Sequence, residues 1–172
     1  MAELPVIIAP DPRLKKKSAR VETVDDSVRE KLDAMLETMY ARDGIGLAGP
    51  QVDIHQALVV CDIAREGESA HPVRLVNPEV VWASDEQATN EEGCLSLPDQ
   101  YAEVTRPARV RVEYRDETGT AQAMDADGLL ATALQHEIDH LFGRLFVDHL
   151  SKVKRNMILR RLSKERRQKG AA

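Results

Sequence analysis

His136-Glu137-Ile138-Asp139-His140 is the segment from which the rest of the chain is best read. It has the form H-E-x-x-H. Positions i and i+4 lie one turn apart on one face of a helix, so two imidazoles there can grip one metal ion with the Glu beside it. The flanking sequence predicts a helix over about residues 127–142, with Gly143 as its stop. Leu130, Leu134, Ile138 and Leu141 make one apolar stripe, and Leu129, Thr132, Ala133, His136 and His140 make a neighbouring one. The motif is thus expected on a helix with a buried face, where a rigid site can be built. A catalytic metal ordinarily has three protein ligands and one open position. Until a third is found, a surface helix that happens to carry two histidines stays open as a reading.

Outward from this helix, Val28, Leu32, Met35, Leu36, Met39 and Tyr40 recur at helical spacing. They predict an N-terminal helix, with Ser27-x-x-Glu30 as a capping box and Gly44 as its stop. Residues 5–12 read as extended chain and turns. Strand signals follow at residues 57–61, 73–76 and 80–82, the last two separated by an Asn77-Pro78 turn. Residues 104–114 and 121–126 can pair across the turn that carries Gly119. Successive strands unbroken by helices predict an α+β fold with mostly antiparallel sheets. A third helix, over about 152–168, carries Val153, Met157, Ile158 and Leu162 among basic residues.

At 172 residues, with 42% hydrophobic and 31% charged residues, the chain reads as one domain with its own core. Aromatics make up only 3%, so that core is expected to be aliphatic. No apolar run approaches a membrane span, and residues 1–5 lack the pattern of a signal peptide, so a cytoplasmic protein is the expectation. Two cysteines make no disulfide framework. Residues 152–169 carry nine Lys or Arg against Glu165 alone, a local charge of +8; since the whole chain is −5, the remainder is −13.

Downstream of the motif the sequence offers no strong third ligand. The longer metzincin pattern needs His at position 146, where this chain has Phe146, and Glu165 lies inside the basic tail. Asp148 and His149 are near in sequence, but nothing in the sequence fixes them toward a metal. Upstream, Glu92-Gly93-Cys94-Leu95-Ser96 surrounds a cysteine with Gly and acid. A thiolate suits a borderline-soft ion. Cys61 closes an apolar strand and reads instead as a small buried hydrophobe. A third segment, Gly44-Ile45-Gly46-Leu47-Ala48-Gly49-Pro50-Gln51, allows close backbone approach to a ligand and lacks the ending of a phosphate loop.

Together these three segments resemble the peptide deformylase family. Its motifs are G-φ-G-L-A-A-P-Q (φ apolar), E-G-C-L-S and H-E-x-D-H, and residues 44–51, 92–96 and 136–140 match them in order and approximate spacing. Gly49 departs from the pattern, standing where the family usually has Ala; this reads as added local flexibility. The region around Tyr101 varies in the family and carries no substrate contact over.

The resemblance implies antiparallel sheets packed around the motif helix, with an N-terminal and a C-terminal helix. It implies hydrolysis of the formyl group from N-formylmethionine of nascent polypeptides, releasing formate. Cys94, His136 and His140 would hold one divalent metal ion per chain, with iron(II) expected and zinc, nickel or cobalt able to occupy the site. Glu137 would act as the acid–base, and the Gln51 side chain and Leu95 N–H would serve as oxyanion donors. Gly46 would hold the peptide backbone. Ile45, Leu129, Thr132 and Ala133 would line a slot for the methionine side chain. The expected partners are N-formylmethionyl peptides and, through the basic helix and its frayed end at about 152–172, the ribosome. No membrane is expected, and the chain reads as a monomer. The alternative is a zinc metallopeptidase of the H-E-x-x-H type, in which Cys94 has no role.

Overall fold

The computed structural model describes residues 3–170. Helix α1 (Asp26–Ala41) forms where sequence periodicity predicts it, and Val28, Leu32, Met35, Leu36 and Met39 are buried along one face. Its cap differs from the expectation. Asp25, not Ser27, accepts the Val28 N–H at 3.0 Å. The stop shifts as well: Asp43 (φ 55°) makes the left-handed turn, and the Gly44 N–H reaches back to Met39 O at 2.9 Å. Gly44 meets a different need, since a Cβ there would stand 2.9 Å from Leu95 Cδ1.

Among the described residues seven strands follow: β1 (Gly46–Ala48), β2 (Leu58–Cys61), β3 (Val73–Ala83), β4 (Gln87–Cys94), β5 (Leu97–Pro107), β6 (Arg109–Arg115) and β7 (Ala121–Asp127). One sheet has the order β1-β2-β3-β6-β7, and β4 and β5 form a separate two-stranded sheet; every pairing between these strands is antiparallel. Asn77-Pro78 does not separate two strands. β3 runs through it as an irregularity, and the Asn77 side chain is fastened to Val21 by accepting its N–H (2.8 Å) and donating to its carbonyl (2.7 Å). The predicted strand over 104–114 is two strands in different sheets, divided after Pro107. β4 had no signal of its own in the sequence, because half of its residues are polar and exposed and none makes an apolar alternation.

The motif helix α2 (Gly128–Leu141) lies on one face of the larger sheet. Ala131, Leu134, Ile138 and Leu141 pack against Ala48, Val59, Leu75, Val110 and Val112. Alternate residues of the same strands (Leu47, Leu58, Val60, Val76) face α1 on the other side. A fully buried side chain such as Leu134 contributes about 2–3 kcal/mol. Helix α3 (Lys152–Gly170) covers the hairpin side, where Ile158 and Leu162 pack with Leu14, Leu97, Val104 and Phe146. Its Val153 and Met157 are exposed. The end of the expected frayed tail, residues 171 and 172, lies outside the described residues. Among those described, no helix is long and apolar enough to cross a membrane.

Candidate active site

Three local structures converge beside α2. The helix supplies His136, Glu137 and His140, all buried. The hairpin supplies Cys94, the last residue of β4 before the Leu95-Ser96 turn. The 3-10 turn Gly49–Val52 supplies Gln51. Ligand atoms of Cys94, His136 and His140 lie within 4.8 Å of one another, and no other such group occurs among the described residues. Cys94 Sγ is 3.5 Å from His140 Nε2. The His136 and His140 rings stand edge to face, with centroids 5.1 Å apart.

His136 is oriented from behind. Its Nδ1 lies 2.9 Å from Glu92 Oε1, which leaves Nε2 for a metal. Glu92 in turn receives a two-pronged bond from Arg106: Nε to Oε2 at 2.7 Å and Nη2 to Oε1 at 3.0 Å. Arg106 Nη1 donates to Asp139 Oδ2 at 2.8 Å. Sequence reasoning missed Glu92 and Arg106 as site residues. A signal existed for Glu92: it stands two residues before Cys94 and so shares its strand face, and a ligating histidine calls for a carboxylate behind it. Arg106 had no such signal.

The electrostatics fit a cation. Burial pushes Glu137 up to about 7; the charges of Glu92 and Asp139 add to the rise, while His136 and Arg106 oppose it. Burial also works to raise Glu92, but hydrogen bonds from His136 and Arg106 and their charges outweigh it and hold the carboxyl down at about 2. At His140, burial and the nearby positive charges of His136 and Arg106 push the pKa well down, which keeps the imidazole neutral, as a metal ligand must be. At His136, burial is overcome by Glu137, Cys94 and Glu92, and the pKa rises. The groups that favour a proton there favour a metal cation equally. Glu137 Oε1 is buried without a hydrogen-bond partner and lies 3.9 Å from His140 Nε2. An orphaned carboxylate oxygen at that place suits a water held beside an ion. The donor set of one thiolate and two imidazoles therefore fits a divalent transition metal.

Gln51 is locked in one orientation. Its Oε1 accepts the Ala48 N–H at 3.0 Å, so its amide nitrogen must point at Cys94 Sγ (3.3 Å) and Ser96 Oγ (3.1 Å). Leu95 occupies the first position of the two-residue turn beside Cys94, where an amide has no ladder partner. Cys61 is fully buried on β2, and burial first, then the charges of Glu137 and Asp62, push its thiol up to about 12.

In front of these groups lies a cavity of about 560 Å³. Its walls include Ile45, Gly46, Gln51, Cys94, Leu95, His136 and Glu137, together with Leu97, Pro98 and Tyr101 of β5. Tyr101, onto which the resemblance carries no substrate contact, reaches the cavity; its ring lies so close to Gly93 that a Cβ there would be 2.5 Å from Cε1. Of the proposed slot residues, Ile45 reaches the cavity and is 40% exposed. Leu129, Thr132 and Ala133 lie on the turns of α2 before His136 and are not among the cavity's walls. Leu129 is 44% exposed and so is not core. Thr132 Oγ1 donates to Gly128 O, and Ala133 is buried. Gly49 also departs from its reading as a flexible point. It is buried, and a Cβ there would meet Ile54 O at 2.5 Å and Gln56 O at 2.8 Å, so it permits a close backbone approach.

The chain is similar to known proteins over nearly its whole length. The family profile described as polypeptide deformylase matches residues 3–156. The peptide deformylase of Rhizobium meliloti is 53% identical over 167 residues, 97% of this chain and 96% of that protein. That of Agrobacterium fabrum is 52% identical over 165 residues, covering 96% of this chain and 97% of that protein. The crystal structure of the Ehrlichia chaffeensis peptide deformylase superposes with a TM-score of 0.93 at 38% identity, covering 98% of this chain and 99% of that one. The same enzyme in complex with actinonin gives a TM-score of 0.92 at 40% identity, covering 97% of this chain and 99% of that one. The family is metal-dependent, and the cluster of Cys94, His136 and His140 is a site that can bind the ion. With the family profile, near-full-length relatives and solved structures in agreement, the chain belongs to the peptide deformylase family.

Proposed function

We propose that this hydrolase removes the formyl group from N-formylmethionine of nascent polypeptides, with Cys94, His136 and His140 holding one divalent metal ion. The observation that carries the reading is the convergence of those three ligand atoms within 4.8 Å beside a buried Glu137. When bound, the ion supplies Lewis acidity that brings the pKa of water toward neutrality. Glu137 accepts the proton of the attacking water, whose oxygen bonds the formyl carbon. The C–N bond then breaks as Glu137 returns that proton to the methionyl nitrogen, leaving formate and a free amine. A carboxyl near 7 is suited to both transfers at neutral pH. The Gln51 amide and the Leu95 N–H donate to the carbonyl oxygen as it gains charge, and each such donor is worth about 3 kcal/mol in the transition state.

The peptide lies along Gly46, and the methionine side chain enters an apolar slot that begins at Ile45 and passes His136 toward Ala133, Thr132 and Leu129. The exposure of Ile45 and Leu129, two large apolar residues that no core requires, supports this course. The resident ion is iron(II), with zinc, nickel or cobalt able to replace it. Cys94→Ala tests the ligand set: the reading expects loss of both metal and formate release. Retention of both would favour the metallopeptidase alternative, for which Phe146 offers no third ligand. That residue is buried and stacks on His136 with centroids 6.0 Å apart.

Residues 1–172 act as one catalytic domain and as a monomer, in the cytoplasm. Strands β1–β3 feed the apolar clusters under both α1 and α2, which supports a shared core. The basic face of α3 docks on ribosomal RNA. Lys152, Lys154, Arg160, Arg161 and Lys164 are exposed along it, and phosphate attraction supplies the affinity. Charge reversal at Arg160, Arg161 and Lys164 is expected to abolish salt-dependent pelleting with ribosomes; unchanged pelleting at low salt would contradict docking.

A further inference from the structure

We propose that His149 is a positioning residue for the metal site, acting through Asp139, Arg106 and Glu92 on the ring of His136. His149 lies at the end of the 3-10 turn Phe146–His149 and is exposed, with its ring edge turned onto Asp139. Its Nε2 is 2.8 Å from Asp139 Oδ2 and 3.4 Å from Arg106 Nη1. A carboxylate only accepts, so Nε2 carries the proton and donates to Asp139. The guanidinium also only donates, so its approach to Nε2 is not a hydrogen bond. Asp139 Oδ2 thus takes two donors, His149 Nε2 and Arg106 Nη1, each at 2.8 Å.

That shared oxygen couples His149 to Arg106. Arg106 is held at one end by Asp139 and at the other by both oxygens of Glu92. Glu92 Oε1 accepts from Arg106 and from His136 Nδ1. Removing the His149 donor leaves Asp139 held by Arg106 alone and able to turn. The guanidinium follows Asp139, the Glu92 carboxylate follows the guanidinium, and the His136 ring loses its fixed angle. The same turn places Phe146 against the His136 ring, so one short segment fixes the ring by stacking and by this chain of bonds. Charge adds to geometry. Glu92, Arg106 and Asp139 together carry one net negative charge behind His136, and His149 donates to its outermost member, Asp139.

The inference rests on the ligand set proposed above, so its test reads metal binding apart from turnover. His149→Phe keeps the ring shape and removes the donor, and His149→Gln keeps an N–H donor. Three measurements are made on full-length protein: competition of a chelator for zinc(II), the visible bands of the cobalt(II)-loaded protein, and kcat and KM for a formyl-methionyl peptide. The expected result for H149F is a Kd for zinc raised about 3- to 10-fold, altered cobalt bands and a similar fall in kcat with KM unchanged; outer partners of ligating histidines have effects of this order or larger. H149Q is expected to recover most of each loss. Wild-type metal affinity, cobalt bands and kcat in H149F would overturn the proposal, as would equal impairment in H149Q. Should H149F fail to fold by circular dichroism, His149→Ala serves as the donor-free variant with the same outcomes. If the wild-type protein binds no metal at this site, the ligand set itself fails, a result distinct from either of these.

Discussion

Gly46 and Glu137 are packed so closely that a Cβ on the glycine would stand 2.5 Å from the Glu137 Oε2. The strand β1 and the motif helix therefore meet at the carboxylate proposed above as the proton carrier. Both residues are buried, so neither can yield toward solvent.

Gly46→Ala is expected to displace the Glu137 carboxylate and cost about 1–3 kcal/mol of stability by overpacking. Formate release per folded molecule should fall at least about 10-fold, since a shifted base loses its reach to the water. Steady-state kinetics with a thermal melt on the same sample separate the two effects. Unchanged kcat would contradict the contact.

Gly49→Ala should act differently. The added methyl meets backbone oxygens of residues 54 and 56, which cannot rotate away as a side chain can. We expect a lower melting temperature, by about 3 °C per kcal/mol lost, with kcat unchanged. An unaltered melt would show that the 53–56 segment shifts at no cost.

Much of this was legible in the sequence, and for a physical reason. Helices α1 and α2 announce themselves because Leu32, Met35, Leu134 and Ile138 must repeat at helical spacing to reach a core. β4 was hidden because Thr89, Asn90 and Glu91 face solvent in a two-stranded sheet, leaving no apolar alternation to read. Asn77-Pro78 misled because residue preference signals a turn, while the tie between the Asn77 side chain and Val21 is a long-range contact that keeps β3 running through it. In the site, Cys94, His136 and His140 were legible from spacing and resemblance. Arg106 was not, because a buried arginine looks like any other charged residue until its partners Glu92 and Asp139 are placed around it.

Arg106→Met should expose that dependence. It leaves Glu92 and Asp139 without their cation, and breaking a buried pair of this kind costs about 3–5 kcal/mol. Metal affinity should weaken about 10- to 100-fold. Adding Glu92→Gln should restore part of the stability, because the uncompensated buried charge is removed. Urea unfolding of the single and double variants measures this; strictly additive losses would contradict the coupling.

Acid unfolding tests the same carboxylate. The folded pKa of Glu92, about 2, lies below its usual 4.5, so its ionised form is favoured by folding. The stabilisation is complete above about 4.5 and is lost as pH falls toward 2, about 3 kcal/mol in all by linkage. In the presence of a chelator, wild-type unfolding free energy should drop across that window. Glu92→Gln should show a lower but flatter profile there. Parallel profiles would contradict the assignment.

Glu137, in the function proposed above, is the proton carrier of a formyl-group hydrolase whose metal is held by other residues. Formate release from a formyl-methionyl peptide, measured for wild-type protein and Glu137→Gln at matched metal content, tests it most directly. The account predicts formate from the wild type in step with free amine, and a loss of at least about 10²-fold in the variant with its metal retained. Formate release by the variant at the wild-type rate, or none from the metal-loaded wild type, would contradict it.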